Sequence, residues 1–237
     1  MDQQHTNYVR DLVDDKCDPA LGARVENHLA QLKLIPYPPD DWMMRGVQYW
    51  PENAVGHIQS GIKQGLLNLG LDVDNDPSLK ETPKRFAKML VGELTKGLNF
   101  DFFPKFTTFP KESDTMIFLG NIQTISLCEH HLQTIYGVTH IAYIPDKIMC
   151  GVSKLARVTD FFARRPQVQE RMTEQIYQAL GLLLETPDVA VVQKCAHYCM
   201  RARGSLQHAS MMDTNKMGGR FMSNPALRQE FLDACRS

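Results

Sequence analysis

The tetrapeptide CEHH, Cys128 to His131, and the downstream run AHYC, with His197 and Cys199, gather thiols and imidazoles into two short clusters. Zinc prefers nitrogen and sulfur donors of this kind; four protein ligands would close a structural site, and three would leave a position for water. His197 and Cys199 lie two apart on a segment that reads as a strand, so their side chains are expected on one face. Cys128 and a histidine of CEHH meet that face only if the chain turns inside the motif. Cys128, His130, His131, His197 and Cys199 together supply one donor more than a closed tetrahedron takes, which leaves a histidine for proton transfer. A structural zinc knot, or buried thiols beside hydrogen-bonded histidines, is the plainer reading of the same residues.

Three further constellations have chemistry within reach. Ser153, Lys154 and Arg157 open a helix, where unpaired backbone N–H groups and the positive end of the dipole favour phosphate, and Arg157 stands one turn beyond Lys154. Ordinary capping with solvated basic residues explains that spacing equally well, and no GxxxxGK[ST] run is present to cradle phosphate. RARG adds Arg201 and Arg203, which share the His197 face if the strand continues. Gln169 and Glu170 begin another helix. The dipole alone favours a carboxylate there, yet a carboxylate also accepts the adjacent N1–H and 2-amino donors of guanine, and a glutamine serves carbonyl or amino edges. Arg85 and Lys88, three apart, share a helix face whose default reading is solvated.

The elements that must carry these residues follow from periodicity. PALGARVENHLAQLKL is compatible with a helix and precedes the breaker-rich PYPPDDW, so residues 1–53 read as an N-terminal helical extension and 54–237 as the main domain. Ile58, Ile62, Leu66 and Leu69 recur at helical spacing up to Gly70, placed to end that helix in the left-handed conformation. Thr82 as cap and Pro83 in the first turn start the next helix, with Phe86, Leu90 and Leu94 as its apolar stripe and Gly97 as its end. TMIFLGNIQTISL and TIYGVTHIAYI are rich in β-branched and aromatic residues and read as strands. A helix capped by Ser153 should bury Leu155, Val158 and Phe162, and one from about Pro166 to Glu185 should bury Met172, Ile176, Leu180 and Leu183. DVAVVQKCAHYCM is a further strand and NPALRQEFLDAC a terminal helix. Strands and helices arriving in blocks predict an α+β layer arrangement with antiparallel strands rather than a Rossmann-like one.

Composition narrows the partners. The 237-residue chain, 43% hydrophobic, can bury a sizeable core, and its net charge of -1 gives no bulk electrostatic reason for a nucleic-acid or membrane partner. Any anion site must be local. The leading MDQQHTNYVRDLVDD is polar where a secretory signal needs an apolar run, and no stretch approaches the roughly 20 apolar residues of a membrane span. A cytoplasmic protein is expected, with Cys17, Cys128, Cys150, Cys195, Cys199 and Cys235 as reduced thiols.

CEHH, GVSKLAR, RRPQVQER, AHYCMRARG and the ETPKR helix occur in the order and at the spacing of the GTP cyclohydrolase I family, which the chain resembles over roughly residues 55–237. The resemblance implies a tunnelling T-fold, an antiparallel sheet with helices packed on one side and preceded by N-terminal helices, assembled as a homodecamer with active sites between subunits. It implies Zn2+ on Cys128, His131 and Cys199, with His130 and His197 left to handle protons. It matches Gln169 and Glu170 to guanine recognition, Ser153, Lys154, Arg157 and Arg203 to the triphosphate, and Arg85 and Lys88 to basic residues that a neighbouring subunit contributes. The implied reaction converts GTP and water to 7,8-dihydroneopterin triphosphate and formate, the first step of pterin and tetrahydrofolate biosynthesis. Water activated by the metal attacks C8 while a histidine, here His197, protonates N7, and His130 serves the later transfers. SLQHASMMDTNKMGG departs from the family, with Met211, Met212 and Asp213 where relatives run rich in Ser and Thr. Competing readings are a hydrolase that stops at the ring-opened formamidopyrimidine and a nitrile reductase sharing the T-fold but using a cysteine nucleophile and a nicotinamide. A non-enzymatic nucleotide-binding surface with a structural zinc is a third.

Overall fold

A computed structural model describes residues 15–35 and 54–236. The expectations placed on the leading polar segment and on PYPPDDW lie outside the described residues. Strands β2 (Ile117–Cys128), β3 (Thr134–Tyr143), β6 (Val189–His197) and β7 (Met212–Met217) are antiparallel neighbours in that order. The two-residue β5 (Pro166–Gln167) adds to the outer side of β2 in parallel, pairing with Leu127 and Cys128, so the sheet is antiparallel except at that edge. A separate ribbon joins β1 (Thr108–Pro110) to β4 (Ile148–Cys150).

Side-chain alternation gives the sheet two different faces. Ile141, Tyr143, Val189 and Val191 face one way, against α4 (Val152–Ala163) and α5 (Gln169–Leu184). The stripes expected on these helices are buried there: Leu155, Val158 and Phe162 on α4, Met172, Ile176, Leu180 and Leu183 on α5. An irregularity in β2 between Leu119 and Ile122, with Asn121 at φ 56, inserts an extra residue, so that Leu119 and Ile122 both reach this core despite opposite parity. Ala142, Ile144 and Ala190 point the other way and are covered by Phe221 of α7 (Arg220–Ser223) and Phe231 of α8 (Pro225–Ala234). Helices therefore do not all lie on one side: small residues on the far face leave room for the C-terminal helices to close it.

The N-terminal helix α1 (Pro19–Gln31) is capped by Asp18, whose Oδ1 accepts from Leu21 N at 3.0 Å, and buries Val25 and Leu29 in the principal core. Gly22 permits the contact, since a Cβ there would sit 2.0 Å from Phe100 O. Phe100 and Phe103 meet Phe161 edge-on at 5.2 and 4.9 Å between ring centroids. The Arg165 guanidinium lies 4.9–5.1 Å from three of the neighbouring rings.

Helix α2 (Ala54–Asn68) ends as expected at Gly70, with φ 82, where Leu71 N donates back to Leu66 O at 3.2 Å. Its stripe is only half-buried, and Leu69 is 76% exposed. Helix α3 (Thr82–Met89) starts one residue earlier than expected: Glu81 is the cap and makes no capping bond through its side chain. Its buried stripe is Pro83, Ala87 and, in the π-helical turn that follows, Val91; Phe86, Leu90 and Leu94 are half-buried. Ser153 likewise sits inside the first turn of α4, with Gly151 at the cap. No helix among the described residues is long and apolar enough to cross a membrane.

Candidate functional site

Both Cys/His clusters sit where strands end. β2 stops at Cys128, whose N donates to Gln133 O at 2.7 Å; Leu132, at φ 50, returns its N–H to Cys128 O at 2.8 Å. The chain thus reverses within Glu129–Leu132, the turn that convergence of the motif requires. On the other side β6 ends at His197, and the helical turn α6 (Tyr198–Arg201) carries Cys199. The strand expected through Cys199 does not continue, so the shared face inferred for His197 and Cys199, and for Arg201 and Arg203, is lost. Pairing of Ile135 with His197 sets the two turns side by side.

The ligand atoms of Cys128, His131 and Cys199 consequently lie within 4.8 Å of one another. Tetrahedral zinc bonds of about 2.0–2.3 Å need roughly 3.3–3.8 Å between ligand atoms, so a slight closure would seat an ion. Cys128 is buried, Cys199 half-buried and His131 exposed. Burial pushes the Cys199 thiol up, the facing Cys128 thiol adds to this, and nearby Arg203 opposes it. Two apposed thiols with an imidazole suit a soft divalent cation, which would draw off their protons. His130 Nδ1 stands 3.7 Å from Cys128 Sγ and is exposed. Beneath the triad, Ile135 and Cys195 form the floor, and burial pushes the Cys195 thiol up to about 12.

His197 is held from behind. Its Nε2 lies 2.8 Å from Gln169 Oε1, and Gln169 Nε2 donates to Met212 O at 2.9 Å, Thr214 Oγ1 at 3.1 Å and Gln193 O at 3.2 Å. Two of those partners are carbonyls, which only accept; the amide nitrogen must face them, its oxygen must face the histidine, and His197 Nε2 carries the hydrogen. The ladder continues inward: Thr173 Oγ1 donates to Gln193 Oε1 at 2.6 Å, and Gln193 Nε2 donates to Thr139 Oγ1 at 2.9 Å. Burial lowers the pKa of His197, partly countered by the exposed carboxylate of Glu170. Gln169 is 1% exposed with both amide hydrogens engaged, which leaves Glu170 as the accessible group of the pair for a base edge.

The basic residues are more dispersed. Ser153, Lys154 and Arg157 stand at the start of α4, whose other end leads through β5 to Cys128; on the order of 14 Å of helix axis lies between Lys154 and that end. Arg157 lines a cavity of about 230 Å³ with Lys16, Lys96 and Asp160. Arg203 is exposed near Cys199, whereas Arg201 donates to Ser210 O at 2.9 Å and holds down the loop before β7. Arg85 donates to Ser78 O at 3.2 Å on α3, which packs against α2 with Lys88 half-buried. The sequence reading missed the Gln193–Thr173–Thr214 ladder and the ion pair between Arg171 and Glu129. Gln169 and Thr173, one turn apart, were the available signal for the ladder; nothing local marked the ion pair.

Comparison with known proteins supplies the remaining context. The family GTP cyclohydrolase I matches residues 58–236. The GTP cyclohydrolase 1 of Shewanella sp. strain ANA-3 is 46% identical over 187 residues, 78% of this chain and 86% of the relative. That of Shewanella loihica is 48% identical over 177 residues, 74% of this chain and 82% of the relative.

Proposed function

The chain belongs to the GTP cyclohydrolase I family, and from that premise we propose that it converts GTP and water to 7,8-dihydroneopterin triphosphate and formate. The observation that carries the reading is the convergence of Cys128, His131 and Cys199 beside two further histidines. On this reading the three residues hold zinc, which when bound supplies Lewis acidity and an activated water for attack on the imidazole ring. Glu170 takes the N1–H and 2-amino edge of guanine, and Gln169 aims His197 rather than reading the base. His197, with Nε2–H held by Gln169, gives to N7 a proton carried on Nδ1, which requires the imidazolium form. His130, exposed at the rim, handles later proton transfers.

The triphosphate falls to Ser153, Lys154, Arg157 and Arg203. The length of α4 that separates the first three from the metal triad supports a site completed between copies, with Arg85 and Lys88 arriving from a neighbour in a decamer. A T-fold for residues 54–237, preceded by an N-terminal extension, accompanies this proposal. Incubation of the purified, zinc-loaded protein with GTP should release formate and generate pterin absorbance in parallel. GTP that stays intact for hours while bound would refute the assignment.

A further inference from the structure

Glu129 stands between a cysteine and two histidines of the site and has no part in the ligand set. Its carboxylate pairs with the Arg171 guanidinium, and its backbone N donates to Gln167 O at 3.1 Å. Arg171 Nε donates to Gln167 Oε1 at 3.2 Å. Gln167 Nε2 donates to Phe162 O at 2.9 Å and to Gln175 Oε1 at 2.7 Å, and Gln175 Nε2 donates to Leu34 O at 2.7 Å. Gln167 and Gln175 are completely buried. Because Phe162 O and Leu34 O can only accept, both amides have one orientation, and every donor in the series points away from Glu129 except Arg171 Nη2, which donates to its carboxylate. The series therefore runs unbroken from the segment after α1 to the CEHH turn.

We propose that Glu129, Arg171 and Gln167 are positioning residues that hold the CEHH turn in its metal-receiving shape before any ion binds, with Gln175 anchoring them to the segment after α1. The turn has a reason to relax when empty: Leu132 is in the left-handed region, which disfavours leucine, and the Cys128 and Cys199 thiols face each other across a half-buried space. Opposing this are the backbone bond from Glu129 to Gln167 of β5 and the charge-assisted pair to Arg171 in the first turn of α5. The proposal rests on reading Cys128, His131 and Cys199 as the metal triad.

The test uses the full-length chain with Glu129→Gln, Arg171→Met, their double variant, and Arg171→Lys. Zinc affinity is measured by competition with a chromophoric chelator, and amide exchange at Cys128, Glu129 and Leu132 is followed in metal-free protein. Glu129→Gln and Arg171→Met should each weaken zinc binding by about 10- to 100-fold. The double variant should be no weaker than the worse single one, and Arg171→Lys should fall between it and wild type. Exchange should accelerate at the turn while the Met172 and Ile176 amides stay protected, and saturating zinc should restore kcat with KM for GTP little changed. Affinities within twofold of wild type, additive losses in the double variant, or exchange raised along all of α5 would overturn the proposal. If Arg171→Met does not fold, Glu129→Gln at the partly exposed turn decides by the same criteria. Wild-type protein that binds zinc without hydrolysing GTP would sink the catalytic reading alone, whereas wild type that binds no zinc would remove the triad and this proposal with it.

Discussion

Replacing Gln169 by Met keeps the length and nearly the volume of the side chain while deleting every hydrogen bond it makes. Met212 O, Gln193 O and His197 Nε2 lose a partner, whereas Thr214 Oγ1 keeps Thr173 at 2.6 Å. Leaving a buried polar group unsatisfied costs about 1–3 kcal/mol, and the backbone carbonyls recover part of this by small shifts, so a net loss of roughly 2–4 kcal/mol is expected. For a chain of this size that is a fall of about 5–15 °C in Tm. The kinetic effect separates the two jobs open to this glutamine. If it orients His197, a displaced imidazole lowers kcat on the order of 100-fold and moves KM for GTP by less than about threefold. Steady-state formate release and thermal unfolding followed by circular dichroism give both quantities. A tenfold rise in KM with kcat and Tm unchanged would refute the orienting role and return Gln169 to base recognition.

Other outcomes are equally open to measurement. Cys199→Ala, on a half-exposed turn outside the main core, should leave a folded protein with near-native circular dichroism that no longer retains zinc through gel filtration and has lost at least about 1,000-fold in activity; collapse of the fold would favour a structural metal. Gly22→Ala drives a Cβ to within 2.0 Å of Phe100 O and should destabilise the chain by about 1–3 kcal/mol in urea, without altering KM. His140, held below the ordinary imidazole value by burial and further by Lys194, takes up its proton at lower pH in the native state than in the unfolded chain, where it titrates near its usual pKa of about 6.5. Its contribution is fully present above that pH and is lost as pH falls through and below it, by at most about 1.4 kcal/mol per pH unit. Urea midpoints at pH 7.5 and 5.5 should differ less in His140→Phe than in wild type, and an undiminished difference would clear His140 of the effect.

Elements whose side chains face a core across a full helix were readable from letters alone, because burial imposes a period: Leu155, Val158 and Phe162, or Met172, Ile176 and Leu180, admit little else. Helix caps were less readable. Thr82 and Ser153 have the right chemistry, yet the caps are Glu81, already in helical geometry, and Gly151, in extended geometry, so both residues fall inside the first turn. β7 was overlooked because MDTNKM is an edge strand whose pairing comes from the backbone of β6 rather than from an apolar alternation. The clustering of Cys128, His131 and Cys199 was anticipated, but the helical turn under Cys199 was not; period-2 reasoning has no means of seeing where a strand stops. Gln169 marks the sharper limit. A glutamine that reads a ligand and one sealed among Gln193, Met212 and Thr214 are the same letter, and only the positions of their partners tell them apart.

The triad is graded in exposure, from buried Cys128 through half-buried Cys199 to exposed His131. An ion or a chelator coming from solvent meets the imidazole first, while the two sulfurs are shielded behind it. If the triad holds an ion as proposed, its lability is governed by release of the exposed imidazole rather than by the total strength of its three bonds. A competing ligand slips in as His131 lets go, so stripping should accelerate with chelator concentration instead of levelling at a fixed release rate. Release of that imidazole would also be the route by which a lost ion returns without the fold opening.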